Sequence, residues 1–220
     1  MVSVVLVMAG KGSRMNKNVN KVLLPLGQKL VFEHSLDTFK SLGCEVICVV
    51  SKDDYPMISE RLKHVKFTFG GQTRQESVMN GLKECSGDYV LIHDAARPFI
   101  SESVVREIIS SYKLNEAILC HHNVKDTIKC FTNDGVSTLN RASLIAASTP
   151  QCASLEVLNE VYQKASNDAF VATDDLSLIE RYRPDIKINY VLANEESFKI
   201  TTPLDYELAK LIVEVKKWLE

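Results

Sequence analysis

A protein that handles a polyphosphate needs fixed positive charge and convergent backbone amides, and the first residues suited to that task are Met8-Ala9-Gly10-Lys11-Gly12-Ser13-Arg14-Met15. Glycines let the main chain turn so that its N–H groups meet on an anion at the start of a turn or helix. Such a turn suits a triphosphate, although a glycine-rich β-α turn is equally a structural device. Two common nucleotide motifs are disfavoured: Met15 stands where the dinucleotide fingerprint needs its third glycine, and the G-K-[ST] ending of a Walker loop is missing. Arg14 is joined by a second cation, Lys21, in Asn20-Lys21-Val22-Leu23-Leu24-Pro25-Leu26; a lone loop lysine is otherwise solvated surface. Further along, Asp94 follows an apolar run, at the carboxyl edge of a sheet where open α/β folds bind ligands. Its plainer reading is a capping or turn aspartate.

The elements that must position these residues alternate between strand and helix. Residues 2–8 form an apolar run interrupted only by Ser3, as expected of a strand buried on both faces of a parallel sheet. Phe32, Leu36, Phe39 and Leu42 recur at helical spacing, Gly43 is placed to end that helix, and residues 46–50 read as a second buried strand. The pattern continues with a helix near 55–63, a strand at 66–69, a helix over 73–85 and a strand at 89–93. Thr73 and Glu76 fit a capping box. A helix carrying Val104, Val105, Ile108, Ile109 and Tyr112 leads to a short strand at 117–120. From about 123 to 147 the rhythm changes: residues 124–130 and 136–139 flank the turn-like Thr132-Asn133-Asp134-Gly135, which predicts a hairpin leaving the domain. Helices resume with Leu155, Leu158, Val161 and Tyr162 and again over 176–182. A strand at 186–192 follows, and Thr202-Pro203 opens a last helix. The expectation is an α/β fold, a mostly parallel sheet flanked by helices with a protruding β-hairpin arm, in one domain over 1–220.

With 220 residues, 45% of them hydrophobic and 25% charged, the chain has the composition of an ordinary globular domain. A net charge of -2 argues against an electrostatic nucleic-acid binder. The cysteines at 44, 48, 85, 120, 130 and 152 form no C-x-x-C pair, so neither a zinc site nor a redox motif is indicated, and idle thiols in a reducing, cytoplasmic compartment are expected. The opening apolar run has no basic residues before it and is too short to span a bilayer, so no membrane association is expected.

Taken with their order, the motifs resemble a known family. A strand followed by A-G-x-G-x-R-M and a K-x-x-L-P-L-like segment is similar to the sugar-phosphate nucleotidyltransferases, whose fold is Rossmann-like. Gly70-Gly71-Gln72-Thr73-Arg74-Gln75-Glu76-Ser77-Val78 with Gly81-Leu82, and above all His93-Asp94-Ala95-Ala96-Arg97-Pro98, resemble the signatures of the 2-C-methyl-D-erythritol 4-phosphate cytidylyltransferases. Asp126-Thr127-Ile128-Lys129, Asn140-Arg141, Thr149-Pro150-Gln151, Thr173-Asp174-Asp175 and Phe198-Lys199-Ile200-Thr201 follow in the family's order, so the resemblance spans the chain. Asn20 and Leu23 stand where the family often has proline and an aromatic, Met8 where alanine is common, and Gln72 where an acid is common.

The resemblance implies transfer of CMP from CTP to methylerythritol phosphate with release of pyrophosphate, in non-mevalonate isoprenoid synthesis. The attacking phosphate oxygen is already anionic and needs no general base, so cations should supply most of the catalysis. It implies Arg14, Lys21 and Lys199 as the catalytic cations, and CTP contacts from Met8, Ala9, Gly10, Lys11, Gly12, Gly71, Gln72, Arg74, Ser77, Asp94 and Ala95. Asp94 is implied as the Mg²⁺ residue. The substrate phosphate is implied at Thr127, Arg141 and Lys199, the first two on an arm embracing the second subunit of a homodimer. His93 is read as structural, and Arg97 as either structural or part of the site. The competing readings are a ribitol 5-phosphate or other polyol-phosphate cytidylyltransferase, a nicotinamide oxidoreductase, and a nucleotide-binding module without turnover.

Overall fold

The computed structural model describes residues 1–10 and 20–219. Its centre is strand β1 (Val2–Val7), with Val4, Val5 and Leu6 fully buried. Alternate side chains enter opposite layers. Val4 and Leu6 pack with Phe32, Leu36 and Phe39 of helix α1 (Val31–Ser41), following the small hairpin β2 (Pro25–Leu26) and β3 (Lys29–Leu30). On the other face Val5 joins a cluster that also holds Val78, Leu82, Leu158 and Ile179. A strand covered on both faces has no polar side to present, which is why its sequence reads as an apolar run interrupted only by Ser3, whose buried hydroxyl donates to Glu45.

Strand β4 (Glu45–Val50) pairs parallel to β1, and beyond it lies β5 (Lys66–Phe69). The expected helix near 55–63 is broken into the single turn α2 (Tyr55–Ile58) and a 3-10 turn over Ser59–Leu62. After α3 (Arg74–Lys83), β6 (Tyr89–Asp94) returns to the opposite side of β1, again parallel. Gly43 takes a φ of +72° just past α1, the left-handed step that ends a helix and is easy only for glycine. Helix α4 (Glu102–Ser111) and β7 (Glu116–Asn123) follow, the strand running three residues beyond its predicted end.

The arm is a two-stranded ribbon, β8 (Lys129–Thr132) and β9 (Gly135–Thr138), turning through Asn133-Asp134. The chain then re-enters the sheet as β10 (Ile145–Ser154), an element the sequence pattern concealed. β10 lies between β6 and β7, antiparallel to both, and its register against β7 shifts between Ala147 and Gln151, so Pro150 sits in an irregularity where a ladder donor is not needed. Ser148, Thr149 and Gln151 are buried there and look like loop residues by type. Helices α5 (Leu155–Asn167) and α6 (Leu176–Tyr182), strand β11 (Lys187–Leu192) and helix α7 (Pro203–Leu219) complete the fold. The seven-stranded sheet has the order β11-β7-β10-β6-β1-β4-β5, with every pairing parallel except the two made by β10.

Candidate active site

Because β4 and β6 leave on opposite sides of β1, a crevice opens at the carboxyl ends of β1 and β6, as expected where strand order reverses. A cleft of about 460 Å³ occupies it, bordered by Met8, Ala9 and Gly10 after β1, by Asn20 and Lys21, by Gly71, Gln72, Thr73, Arg74 and Ser77 around the start of α3, and by Asp94, Ala96, Lys199 and Thr201. Residues far apart in sequence are thus gathered at one edge.

Asp94 ends β6 at the base of the cleft. Its Oδ2 accepts from Lys199 Nζ at 2.7 Å, and its Oδ1 from Arg74 Nε at a long 3.3 Å. Burial raises the carboxyl pKa, but the charges of Arg74 and Lys199 outweigh it and hold the group well below the usual carboxylate range. Asp94 is therefore ionised across the neutral range.

Arg74 is gripped from behind by a residue to which the sequence pattern gave no role. Its two terminal nitrogens donate to the two oxygens of Asp175, at 2.7 and 2.8 Å, a bidentate pair across 101 positions of sequence. The Asp175 side chain is fully buried, and the Tyr162 hydroxyl also donates to it. Gln151 of β10 completes the support, its Oε1 accepting the backbone N–H groups of Asp175 and Leu176, both at 2.9 Å. Burial lowers the guanidinium pKa, yet Asp175 and then Asp94 push it above its ordinary value. Arg74 thus lines the cleft as the link between two acids.

Lys199 reaches Asp94 through a segment tied to β6's outgoing loop: Ile200 N–H donates to the Ala96 carbonyl at 2.8 Å, and Arg97 Nη1 to the Ser197 carbonyl at 3.0 Å. Arg97 therefore fastens the segment that presents Lys199. Lys21 is set by its neighbour Asn20, whose Nδ2 donates to the Met8 carbonyl at 2.8 Å and to Asp54 Oδ2 at 2.9 Å, while its Oδ1 caps the short turn beginning at Lys21. Asn20, noted in the sequence only as a departure from proline, staples Lys21 to the end of β1.

The wall opposite is built by close approach. A Cβ on Gly70 would lie 2.4 Å from the Ala9 Cβ and 2.8 Å from Ser77 Oγ, so only glycine lets this loop rest on β1. Ser77 Oγ accepts from Gly71 N–H at 3.1 Å and donates to the Thr73 carbonyl at 2.8 Å. The capping box at Thr73 is half formed: Thr73 accepts from Glu76 N–H, but the Glu76 carboxylate turns to Gln72 N–H.

His93 is structural. Its Nε2 meets the Arg97 carbonyl at 3.1 Å, and since a carbonyl only accepts, Nε2 carries the proton. Nδ1 then accepts from the Thr149 hydroxyl, whose oxygen in turn accepts Asp94 N–H at 3.2 Å. Complete burial holds this imidazole neutral, its pKa lowered to about 4.

Several anticipated site residues lie elsewhere. Ala95 is fully buried with its N–H on the Val7 carbonyl, and Ala96 takes its expected place at the cleft. The Met8 side chain is buried in the core, so only its main chain serves the site. Thr127 and Arg141 do not border the cleft of this chain; Arg141 donates to the Lys125 carbonyl at 2.8 Å on the arm. Lys11, Gly12 and Arg14 lie outside the described residues. Among the described residues no group of three or more His, Cys, Asp or Glu is placed to hold a metal ion.

The chain is similar to known proteins along nearly its whole length. The family model described as 2-C-methyl-D-erythritol 4-phosphate cytidylyltransferase matches residues 2–215. The protein of that name from Bacillus cereus is 34% identical over 227 residues, covering 99% of this chain and 100% of the relative. Its counterpart from Clostridioides difficile is 33% identical, covering 99% and 95%. The crystal structure of 4-diphosphocytidyl-2C-methyl-D-erythritol synthase from Anaerococcus prevotii superposes with a TM-score of 0.86 at 30% identity, over 97% of this chain and 96% of that one. For the cytidylyltransferase from Thermus thermophilus the TM-score is 0.79 at 26% identity, over 96% and 98%.

Proposed function

Because the chain belongs to the 2-C-methyl-D-erythritol 4-phosphate cytidylyltransferase family, and so transfers CMP from CTP to methylerythritol phosphate with release of pyrophosphate, we propose how its own residues perform that transfer. A phosphate oxygen of the substrate attacks the α-phosphorus of CTP, and the bond to the bridging oxygen of pyrophosphate breaks. Two polyanions must approach while charge grows on the leaving group, so positioned cations matter more than proton transfer. The observation that carries this reading is the convergence of Lys21, Lys199, Asp94 and the Ala9-Gly10 turn on one cleft. Lys21 and Arg14 are read as stabilising the triphosphate in the transition state, and Lys199 as meeting the substrate phosphate. Gly71, Gln72 and Ser77 form the wall against which the nucleotide is proposed to rest.

Asp94 fits a magnesium ion. It is an ionised oxygen ligand facing a cleft that admits phosphates, and one or two carboxylates plus substrate phosphates are what Mg²⁺ ordinarily takes. When bound there, the ion would neutralise the triphosphate. Lys199, now on Asp94 Oδ2, is a mobile point charge suited to passing from carboxylate to incoming phosphate.

The homodimer reading rests on the arm. A two-stranded ribbon is marginal alone, and this one exposes Phe131 and Val136. Thr127 and Arg141 gain a role in phosphate binding if the arm of a second copy reaches the cleft. A monomeric mass in solution together with full activity would contradict it. A cytoplasmic setting is supported by six unpaired cysteines; no described helix is long and apolar enough to cross a membrane. The reaction is tested by incubating the protein with CTP, Mg²⁺ and either methylerythritol phosphate or ribitol phosphate while measuring pyrophosphate. Release is expected with the first alone, and the opposite preference would overturn the substrate assignment.

A further inference from the structure

We propose that Asp175 is a positioning residue that limits Arg74 to one long hydrogen bond on Asp94 Oδ1 and so leaves that oxygen able to take a divalent cation. This rests on the reading of Asp94 as the metal residue.

The geometry is asymmetric. Both terminal nitrogens of Arg74 are committed to Asp175, and only Nε turns to Asp94, at 3.3 Å against 2.7 and 2.8 Å on the other side. A guanidinium prefers a carboxylate with two parallel bonds, and Asp94 lies within its reach. Freed from Asp175, the same group would fork onto Asp94. Lys199 already takes Oδ2, so a forked Arg74 would close the one oxygen that now receives only a long hydrogen bond. Asp175 is built for the restraining task. Its side chain is excluded from solvent, it accepts from the Tyr162 hydroxyl, and Gln151 fixes its main chain from β10. A carboxylate buried at this depth serves no surface role, and its chain of contacts ends at the cleft.

The test is Mn²⁺ binding, followed by the paramagnetic resonance of the free ion, on the full chain with CTP present and no polyol phosphate. Asp94→Asn should abolish tight binding. Asp175→Asn should weaken it about tenfold or more, the size of effect typical for outer partners of a metal ligand. With CTP raised to saturate each variant, because Arg74 is itself an implied CTP contact, the double variant Arg74→Gln/Asp175→Asn should recover most of the roughly tenfold loss seen in Asp175→Asn, since no guanidinium is left to fork. Because losing both partners of a buried ion pair can also repair stability, Mn²⁺ affinity is compared per folded molecule with urea unfolding followed alongside, and Asp175→Asn should lose affinity in the fully folded protein. Wild-type affinity in Asp175→Asn, or no recovery in the double variant, overturns the proposal while leaving Asp94 in place. Wild-type affinity in Asp94→Asn overturns both readings. If Asp175→Asn does not fold, Asp175→Ser, which removes the paired acceptors but leaves room for water, carries the same expectations.

Discussion

At the amino edge of the sheet Glu45 opens β4, and at the carboxyl edge Asp94 closes β6. Both are acids pulled below their ordinary pKa by neighbouring donors, but they are finished differently. Glu45 accepts from Ser3 Oγ, Lys66 Nζ, Ser86 N–H and Ser86 Oγ, so both of its oxygens are doubly engaged and the neighbouring strands and loop are tied together. Asp94 accepts one short bond and one long one from two cations, at the base of a cleft. A saturated carboxylate is an anchor, because any new ligand must first displace a satisfied partner. An incompletely saturated carboxylate facing a cleft retains capacity for a ligand, and that unspent capacity separates the functional edge from the structural one.

The comparison breaks most visibly at Lys21. Lys21→Ala removes a cation at the functional edge while the core stays intact, and turnover should fall about 10²–10³-fold, the effect of losing one transition-state donor. The melting temperature should move by no more than about 2 °C. Pyrophosphate release at the wild-type rate would remove Lys21 from the mechanism.

Glu45→Gln should do the reverse. Destabilisation of about 1–3 kcal/mol is expected in urea unfolding, because several donors lose a charged acceptor, while turnover per folded molecule stays at wild-type level. An equal loss of activity and stability would erase the distinction between the two edges.

Acid sharpens the same contrast. Burial raises the Glu45 pKa, but hydrogen bonds from Lys66, Ser3 and Ser86 outweigh it and lower it from 4.5 to about 2. The folded state binds this proton less readily than the unfolded chain, so the stabilisation is whole above pH 4.5 and is lost as pH falls through about 2. The stability gap between wild type and Glu45→Gln should narrow over that interval; a gap that stays constant would mean that charge is not its source. The smallest effect is expected from Lys66→Ala. Its side chain is half exposed, and solvent screening leaves a pair of that kind little to contribute, so the urea midpoint should move less than in Glu45→Gln.

Much of this molecule was legible from its residues. Runs such as Val2–Val7 and Tyr89–Asp94 announce strands because burial on both faces demands apolar side chains at nearly every step, the polar exceptions Ser3, His93 and Asp94 each being hydrogen-bonded. The motifs around Lys21, Gly71 and Asp94 each end or follow such an element, so local pattern already placed them at strand ends. β10 was hidden for the opposite reason: Ser148, Thr149, Pro150 and Gln151 have the types of a loop. Thr149 and Gln151 can be buried in a strand because their side chains find partners on distant segments, Thr149 at His93 and Asp94 and Gln151 at Asp174 and Asp175. Asp175 meets Arg74 across 101 positions, and no periodicity reports a pairing of that range. Periodicity registers which face of an element is apolar, a property of neighbours in sequence. Which acid grips which cation, and which oxygen is left open, is settled only when the sheet assembles and brings those groups within hydrogen-bonding distance.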